Sequence, residues 1–171
     1  CRILNMLATG GEYHSDPRER YAGGLTPEQA ERGKRLLRMI SAVQFTLPGV
    51  PCVYYGDEAG IDGGVDPFNR GCYPWGNEDE ELIAHYKFLG RLRKEHPVFK
   101  EGEFVPVSAA LGCVAFERRG EGERIMTVAN RNEHPLVYVL PEEGWSSLTG
   151  ERIGGRELYL GAESTAILIF R

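Results

Sequence analysis

The sequence predicts an α/β part followed by an all-β part. Two segments with helical periodicity flank an unbroken apolar run at residues 50–55, an order that is typical of α/β proteins. From about residue 102 onward, short apolar runs of strand length alternate with turn signals, which is typical of antiparallel β structure. This change of pattern places the boundary between the two parts near residues 97–103.

A first helix is predicted over about residues 27–46. Thr26 can cap its N-terminus, Pro27 suits the first helical position, and Glu28 places an acid in the first turn. The residues with helical spacing are Ala30, Leu36, Leu37, Ile40, Val43 and Gln44. The Leu-Pro-Gly sequence at 47–49 then ends the helix.

The run VPCVYY at residues 50–55 is apolar without alternation, so it predicts a strand covered on both faces, as in a parallel sheet. The strand leads into a loop that continues to about Gly76 and has no regular period. Charged and aromatic side chains are concentrated in this loop, namely Asp57, Glu58, Asp62, Asp66, Arg70, Tyr73 and Trp75. Because α/β proteins place their sites after the carboxyl ends of parallel strands, this loop is the candidate site.

A second helix is predicted over about residues 78–94. Asn77 can cap it, and the acidic residues at 78–81 fill the first turn, where the helix dipole favours anions. Its apolar stripe consists of Leu82, Ile83, Tyr86, Leu89 and Leu92. Basic residues at 91, 93 and 94 suit the opposite end of the dipole, and the His-Pro sequence at 96–97 ends the helix.

The second part contains five clear β-type runs, EFVPV, CVAFERR, RIMTVANR, LVYVL and TAILIFR. Gly120 and Glu121 lie between the second and third runs, so a hairpin should link residues 113–118 to residues 124–130. Five or six short strands in about seventy residues fit an antiparallel sandwich. The first part contains a single predicted strand, whose backbone groups would need partners from elsewhere.

Charge and hydropathy exclude several classes of function. The 171 residues contain 20 Lys and Arg against 25 Asp and Glu, which gives a net charge of −5. This balance lacks the basic field that nucleic-acid binding requires, and the chain has no polybasic run for an anionic membrane. No window approaches the roughly 18 to 20 apolar residues of a membrane span. We therefore expect neither nucleic acid nor membrane as a partner.

The cysteines and histidines show no spacing that is typical of a metal site. They are Cys1, Cys52, Cys72 and Cys113, and His14, His85, His96 and His134. No metal and no cofactor is therefore predicted. Cys52 and Cys113 lie in apolar runs and are interpreted as small buried hydrophobes. A chain of this size does not require a disulfide, so a reducing compartment, and with it the cytoplasm, is favoured.

The segment LPGVPCVYYGDEAGIDGGVDPFNRGCYPWG, residues 47–76, resembles the C-terminal end of the α-amylase family of glycoside hydrolases. It is most similar to the neopullulanase, cyclomaltodextrinase and amylopullulanase branch. In that branch P-G-x-P-x-x-Y-Y-G-D-E forms the eighth barrel strand and the start of its loop, and DPxNR and YPW follow in the loop. Arg2-Ile3-Leu4 resembles the end of the family's fourth conserved motif. LRKEHP leading to GEF resembles the last barrel helix entering a C-terminal sandwich.

The resemblance implies a fold. Residues 1–98 would be the C-terminal part of a catalytic (β/α)8 barrel, and residues 99–171 an antiparallel Greek-key β-sandwich. Family members cleave α-glucosidic bonds with retention, using a nucleophilic carboxylate and a general acid about 5 Å apart, while a third aspartate stabilises the distorted sugar. In the family all three carboxylates precede the segment that matches Arg2-Ile3-Leu4. The resemblance therefore implies a C-terminal fragment with no catalytic residue of its own.

The resemblance also implies sugar-binding residues in the loop. In related enzymes the aspartate and arginine of the DPxNR element line the donor-side sugar subsites, so Asp66 and Arg70 are candidates. A carboxylate and a guanidinium can form charge-assisted hydrogen bonds to vicinal hydroxyls. The alternative is an ion pair between Asp66 and Arg70 that only fixes the loop.

The remaining loop residues each allow two interpretations. Tyr73 and Trp75 either stack on sugar faces or pack as core aromatics under the loop. Asp57 and Glu58, as neighbours on extended chain, point to opposite sides, so they are interpreted as structural unless one of them contacts sugar. Tyr55 allows the same two interpretations, a structural role or contact with sugar. The candidate substrate-binding residues are Asp66, Arg70, Tyr55 and Trp75.

Two functions follow from these observations. The first is a part of a retaining glycoside hydrolase that cleaves α-glucosidic bonds in starch-type oligosaccharides, pullulan or cyclodextrins. This chain would supply its donor-side loop and C-terminal domain. The alternative is a non-catalytic carbohydrate-binding or scaffolding β-sandwich module, which would not need residues 26–95. The expected partners are an α-glucan oligosaccharide and either the remaining barrel segment or a second copy that pairs with residues 50–55.

Overall fold

The computed structural model describes residues 1–11, 24–64 and 66–170. The chain divides into two compact units, the first comprising Cys1–Arg38 and Cys52–Phe88 and the second Met39–Pro51 and Leu89–Arg171. These units group residues by their contacts and do not test the predicted domain boundary between residues 98 and 99, which stays a prediction. Much of the loop predicted between residues 8 and 25 lies outside the described residues.

The first unit is built from helical segments around a small apolar core. Helix α1 is Ile3–Thr9, α2 is Pro27–Thr46 and α3 is Glu80–Glu95, and the last two contribute to this unit only up to Arg38 and Phe88. The core takes one leucine from each helix, namely Leu4, Leu37 and Leu82. Gly33 allows α1 and α2 to approach closely, because a Cβ at this position would lie 2.9 Å from the carbonyl oxygen of Leu4.

Helix α2 has the bounds that its sequence predicts, and its N-terminus is a capping box. Thr26 Oγ1 accepts a hydrogen bond from the N–H of Gln29 at 3.2 Å. Gln29 Oε1 in return accepts one from the N–H of Thr26 at 3.0 Å. Two backbone donors that the helix leaves without partners are thereby satisfied.

Helix α3 begins later than predicted, because Asp79 caps it instead of Asn77. The N–H of Leu82 donates to Asp79 Oδ1 at 2.9 Å, and Lys34 Nζ lies 2.7 Å from Asp79 Oδ2. Burial alone would raise the pKa of Asp79, but the hydrogen bonds from Lys34 and Leu82 outweigh it and lower the pKa. A charged cap with a lysine partner also suits the positive end of the helix dipole better than an amide does.

The prediction of a buried strand at residues 50–55 is wrong for this chain. No strand forms there, and Val50 and Tyr54 are 93% and 51% exposed. A strand requires a neighbouring strand as hydrogen-bond partner, and the described residues supply none to this segment. Cys52, which was expected to be buried, is exposed for the same reason, whereas Cys113 is half-buried.

The second unit contains two antiparallel sheets and a short helix, α4 (Val98–Glu101). In chain order the strands are β1 (Glu103–Ala110), β2 (Cys113–Gly120), β3 (Glu123–Asn130), β4 (Leu136–Val139), β5 (Trp145–Ser147), β6 (Ile153–Gly154), β7 (Glu157–Leu160) and β8 (Ser164–Phe170). The larger sheet has the order β1-β2-β3-β8-β5 and the smaller sheet the order β4-β7-β6. The prediction of an antiparallel all-β part is confirmed.

The strand register matches the predicted hairpin and creates one core. In the β2–β3 hairpin Gly120 pairs with Glu123, so Glu121 and Gly122 form the turn. Inward side chains of both sheets pack in a single cluster, which includes Met126, Val128, Leu140, Trp145, Leu158, Leu160 and Leu168. Among the described helices, none combines the length and the apolar character needed to cross a bilayer.

Candidate functional site

The candidate loop leaves residues 52–55 through two overlapping turns in the first unit. The N–H of Asp57 donates to the carbonyl of Tyr54 at 3.1 Å, and the N–H of Ile61 donates to the carbonyl of Gly56 at 3.0 Å. Gly56 has a φ of +85°, and a Cβ there would lie 2.2 Å from Ile61 Cδ1. Glycine is therefore required where the chain turns into the loop.

Arg2 lies under this turn and is almost completely buried, with 1% of its surface exposed. Its Nη1 donates to the carbonyl of Tyr55 and lies 3.6 Å from Asp57 Oδ1. The guanidinium carbon is 4.7 Å from the ring centroid of Tyr54 and 4.4 Å from that of Tyr55. In the sequence Arg2 contributes only to the family resemblance, because no local pattern indicates that an arginine near one end of α1 is buried against residues 54–57.

Gly63 connects the same arginine to the DPxNR element. The N–H of Arg2 donates to the carbonyl of Gly63 at 2.8 Å, and the N–H of Gly63 donates to Asn5 Oδ1 at 2.6 Å. A Cβ on Gly63 would lie 2.7 Å from the carbonyl oxygen of Phe68 and 3.1 Å from Arg2 Cγ. The short 3-10 turn Phe68–Arg70 therefore packs directly on Gly63.

Asp57 and Glu58 have different partners. Asp57 faces Arg2, and burial raises the pKa of its carboxyl although the charge of Arg2 opposes this effect. Glu58 Oε2 accepts a hydrogen bond at 2.9 Å from the N–H of Gly56. The two carboxylates are thus engaged by separate groups, as their adjacent positions in the chain suggest.

Asp66 and Arg70 form an ion pair that is open to solvent. Arg70 Nε lies 2.8 Å from Asp66 Oδ1, and the two side chains are 69% and 63% exposed. An exposed pair of this kind contributes little to stability, since water screens both charges. Its remaining donors and acceptors can still bind a polar ligand.

The aromatic residues at the end of the loop form an exposed pair. Trp75 is 80% exposed, so the interpretation of Trp75 as a core aromatic is wrong. Its ring centroid lies 4.6 Å from that of Tyr73, which is half-buried. Desolvation and the negative charges of Glu58 and Glu78 raise the pKa of Tyr73. Because the chain turns at Gly76, the indole projects from the loop with most of its surface free.

The structure brings three of the four candidate residues into one network. Tyr55 Oη donates to the carbonyl of Gly71 at 3.0 Å, and Gly71 directly follows Arg70, which pairs with Asp66. Trp75 follows in the same loop beside Tyr73. In the described ranges, no group of three or more His, Cys, Asp or Glu side chains is arranged to share a metal ion.

Comparison with curated proteins finds a cyclomaltodextrinase of Bacillus sp. that is 37% identical over 109 residues, which cover 61% of this chain and 20% of the relative. A maltogenic alpha-amylase of Bacillus acidopullulyticus is 32% identical over 148 residues, or 78% of this chain and 25% of the relative. An amylopullulanase of Thermoanaerobacter thermohydrosulfuricus is 42% identical over 83 residues, or 48% of this chain and 6% of the relative. A solved alpha-amylase of Anoxybacillus matches with a TM-score of 0.71 and 28% identity, over 81% of this chain and 32% of that chain. No protein-family model matches.

The matched part of the chain is homologous to glycoside hydrolases of the α-amylase family, which confirms the resemblance predicted from residues 47–76. Within that family its curated relatives include a cyclomaltodextrinase and an amylopullulanase, two of the three enzyme types that the motifs resemble. The chain spans a quarter or less of the length of these relatives.

Proposed function

We propose that this chain is the donor-side substrate loop and C-terminal domain of a retaining α-glucan hydrolase of the α-amylase family. In this proposal residues 1–98 are the C-terminal portion of a (β/α)8 barrel, and residues 99–171 are a Greek-key β-sandwich. The ligand is an α-glucan oligosaccharide of the starch, pullulan or cyclodextrin type. The protein partner is the remaining barrel segment or a second copy of the chain, either of which would cover residues 50–55.

The observation that carries the proposal is the solvent-open Asp66–Arg70 pair in the same loop as the exposed indole of Trp75. A pyranose has hydroxyls around its edge and an apolar face. The edge suits a carboxylate and a guanidinium, which together accept and donate charge-assisted hydrogen bonds. The face suits an aromatic ring, and Tyr73 supports the indole from one side.

Tyr55 takes the role of a floor residue in this proposal. Its hydroxyl is bonded to the carbonyl of Gly71, while 43% of the residue remains exposed. Tyr55 therefore ties the start of the loop to the residue that follows Arg70. A sugar bound by Asp66 and Arg70 would find the exposed part of the Tyr55 ring next to it.

Sugar binding is tested by protection of Trp75 from a collisional quencher such as iodide. The chain has two tryptophans, and Trp145 is only 5% exposed, so quenchable emission reports on Trp75. Maltoheptaose is expected to reduce quenching in the full 171-residue chain. Arg70→Ala is expected to weaken its binding about tenfold, since a charge-assisted hydrogen bond is lost.

Two controls make this result specific. Arg91→Ala changes an exposed arginine of α3 and should leave the affinity unchanged. Cellohexaose, a β-linked glucan, should protect Trp75 much less than maltoheptaose does. Equal quenching with and without maltoheptaose would contradict the proposed function of this chain.

The proposal assigns neither nucleophile nor general acid to the loop. A retaining pair needs two carboxyl groups about 5 Å apart that face one sugar. Asp57 instead faces Arg2, Glu58 binds the N–H of Gly56, and Asp66 pairs with Arg70. These contacts support a binding or structural role for each carboxylate.

We therefore expect no release of reducing sugar when the purified chain is incubated with maltoheptaose, pullulan or β-cyclodextrin. A standard reducing-end assay measures this, and Asp66→Asn and Glu58→Gln are its matched variants. Release by the unaltered chain that disappears in either variant would mean that the loop carboxylates themselves perform catalysis.

A further inference from the structure

We propose that Arg2 is the positioning residue of the sugar-binding loop, holding Tyr55 and the turn that carries Arg70 at a fixed separation. This inference rests on the proposed function and names a residue that supports its site. Arg2 does not contact the sugar in this proposal. It acts through the two segments that it touches.

Burial of the Arg2 side chain costs free energy. Its guanidinium is fully buried, and Nε and Nη2 have no hydrogen-bond partner among the described residues. A buried charge with unpaired donors destabilises a fold relative to an apolar side chain of similar size. Stability alone therefore does not account for an arginine at this position. Its planar group instead holds neighbouring segments of the loop in place.

Arg2 contacts two tyrosine rings. The guanidinium carbon lies 4.7 Å and 4.4 Å from the ring centroids of Tyr54 and Tyr55, and those centroids lie 4.8 Å apart. The guanidinium lies within cation–π distance of both rings, which are tilted by 56° to each other, while its Nη1 donates to the Tyr55 carbonyl. A lysine ammonium carries the same charge but lacks the planar shape of a guanidinium. Arg2 thus fixes the backbone and the ring of Tyr55 together.

Arg2 also contacts the opposite side of the loop, at Gly63. The backbone N–H of Arg2 donates to the Gly63 carbonyl, and a Cβ on Gly63 would lie 3.1 Å from Arg2 Cγ. The same Cβ would lie 3.0 Å from the Cα of Asn69, so Gly63 packs between Arg2 and the turn Phe68–Arg70. Arg2 therefore contacts both the Tyr55 segment and, through Gly63, the turn that carries Arg70, and adds to the direct hydrogen bond from Tyr55 Oη to the Gly71 carbonyl.

The test compares maltoheptaose affinity in Arg2→Lys and Arg70→Ala, using Trp75 protection in the full chain. Arg2→Lys is expected to weaken binding about tenfold, although the charge is kept, because the broad guanidinium that contacts both rings and the Tyr55 carbonyl is lost. Each affinity is measured below the unfolding transition of the variant, so that a loss of stability alone does not change it. Methylguanidinium at non-denaturing concentration should restore affinity to Arg2→Ala, whereas methylammonium should not.

A second variant covers the case in which changes at Arg2 prevent folding. Tyr54 is half exposed, and Tyr54→Leu removes one of the two rings that contact the guanidinium while Arg2 itself is unchanged, so about threefold weaker binding is expected. Wild-type affinity in every folded variant of Arg2 and Tyr54, together with a loss in Arg70→Ala, would overturn the positioning role and leave the proposed function intact. Wild-type affinity in Arg70→Ala would contradict the proposed function itself, and the positioning role with it.

Discussion

Replacing Arg118 by methionine is expected to lower the free energy of unfolding by about 1 to 3 kcal/mol, because the hydrogen bonds that are lost outweigh the relief of a buried charge whose Nε has no partner among the described residues. Arg118 lies in β2 and is 2% exposed. Its two terminal nitrogens donate to the backbone carbonyls of Thr46 and Phe99, each at 3.2 Å, and of Gly102 at 2.7 Å. Methionine fills similar volume but leaves the carbonyls of Thr46 and Gly102 without a charged donor, whereas that of Phe99 also accepts from Arg93 Nη2 at 3.4 Å. The loss arises because two acceptors lose their partner at once.

Arg118 acts together with Arg93 at the C-terminal end of α2. Arg93 donates to the carbonyl of Phe45 at 2.6 Å and to that of Leu47 at 3.3 Å. Carbonyls at the end of a helix have no partner within it, and positive charge is favourable there. Burial and the positive charge of Arg93 lower the pKa of Arg118. Removing Arg118 also relieves this repulsion, which favours the lower half of the expected range.

Equilibrium urea unfolding of the full chain, followed by Trp145 emission, measures the effect. Arg91→Met is the matched control, because Arg91 is exposed on α3, and it should change stability by no more than about 0.5 kcal/mol. Arg118→Lys keeps one charged donor and should fall between the two. If Arg118→Met were as stable as Arg91→Met, the three carbonyl contacts would contribute nothing to the fold.

Local sequence patterns predicted the two long helices, α2 and α3, and five of the eight strands in the described residues, because those elements depend on nearby residues; the short helices α1 and α4 were not predicted. The bounds of α2 follow from Thr26, Pro27 and the proline at 48, all within the segment itself. The shorter strands β5, β6 and β7 have three, two and four residues, which is too few for alternation to be visible. Their positions depend on pairing with residues elsewhere in the two sheets.

At residues 50–55 the local sequence pattern and the structure disagree. Its composition favours a strand, yet no strand forms, since the described part of the chain offers it no neighbour. The same limit applies to Arg2, Arg93 and Arg118. Their hydrogen-bond acceptors lie far away in the sequence, so neither spacing nor periodicity indicates that they are buried or paired.

One part of the candidate site could be predicted from the sequence and another part could not. The Asp66–Arg70 ion pair matches the structural alternative that the sequence analysis kept open, and its exposure leaves the sugar-binding interpretation open as well. The exposure of Trp75 was not predictable, because an aromatic residue in a glycine-rich loop fits burial and display equally well. Family motifs identify these positions, whereas the three-dimensional structure shows which of them are in contact, through Gly63, Arg2 and the hydrogen bond from Tyr55 Oη to the Gly71 carbonyl.

Replacing Glu117 by glutamine is expected to lower the free energy of unfolding by about 2 to 4 kcal/mol at neutral pH. The Glu117 side chain is 1% exposed, and its Oε2 accepts from Arg119 Nε at 2.7 Å and from Arg124 Nη2 at 3.0 Å. Glutamine keeps the shape but removes the charge, so Arg119 loses the carboxylate that it contacts and Arg124 keeps the exposed Glu142 as its acidic partner, at 2.9 Å. The expected loss stays below that of a fully buried pair, because Arg119 and Arg124 are 45% and 28% exposed and can bind water.

The pH dependence of this difference identifies the charge as its cause. Burial alone would raise the pKa of Glu117, but the hydrogen bonds from Arg119 and Arg124 outweigh it and lower the pKa below its ordinary value of 4.5. A carboxyl whose pKa is lowered by folding stabilises the fold above the unfolded pKa, and this contribution is lost as the pH falls through the folded pKa. Urea unfolding from pH 7 to pH 3 should therefore show a constant difference between wild type and Glu117→Gln above about pH 5 that shrinks below it. Glu142→Gln removes an exposed partner of the same Arg124 and should cost no more than about 0.5 kcal/mol. A Glu117→Gln difference that persisted unchanged at pH 3 would instead indicate a packing effect, because a difference caused by the charge must shrink once the carboxyl of the unfolded chain becomes protonated.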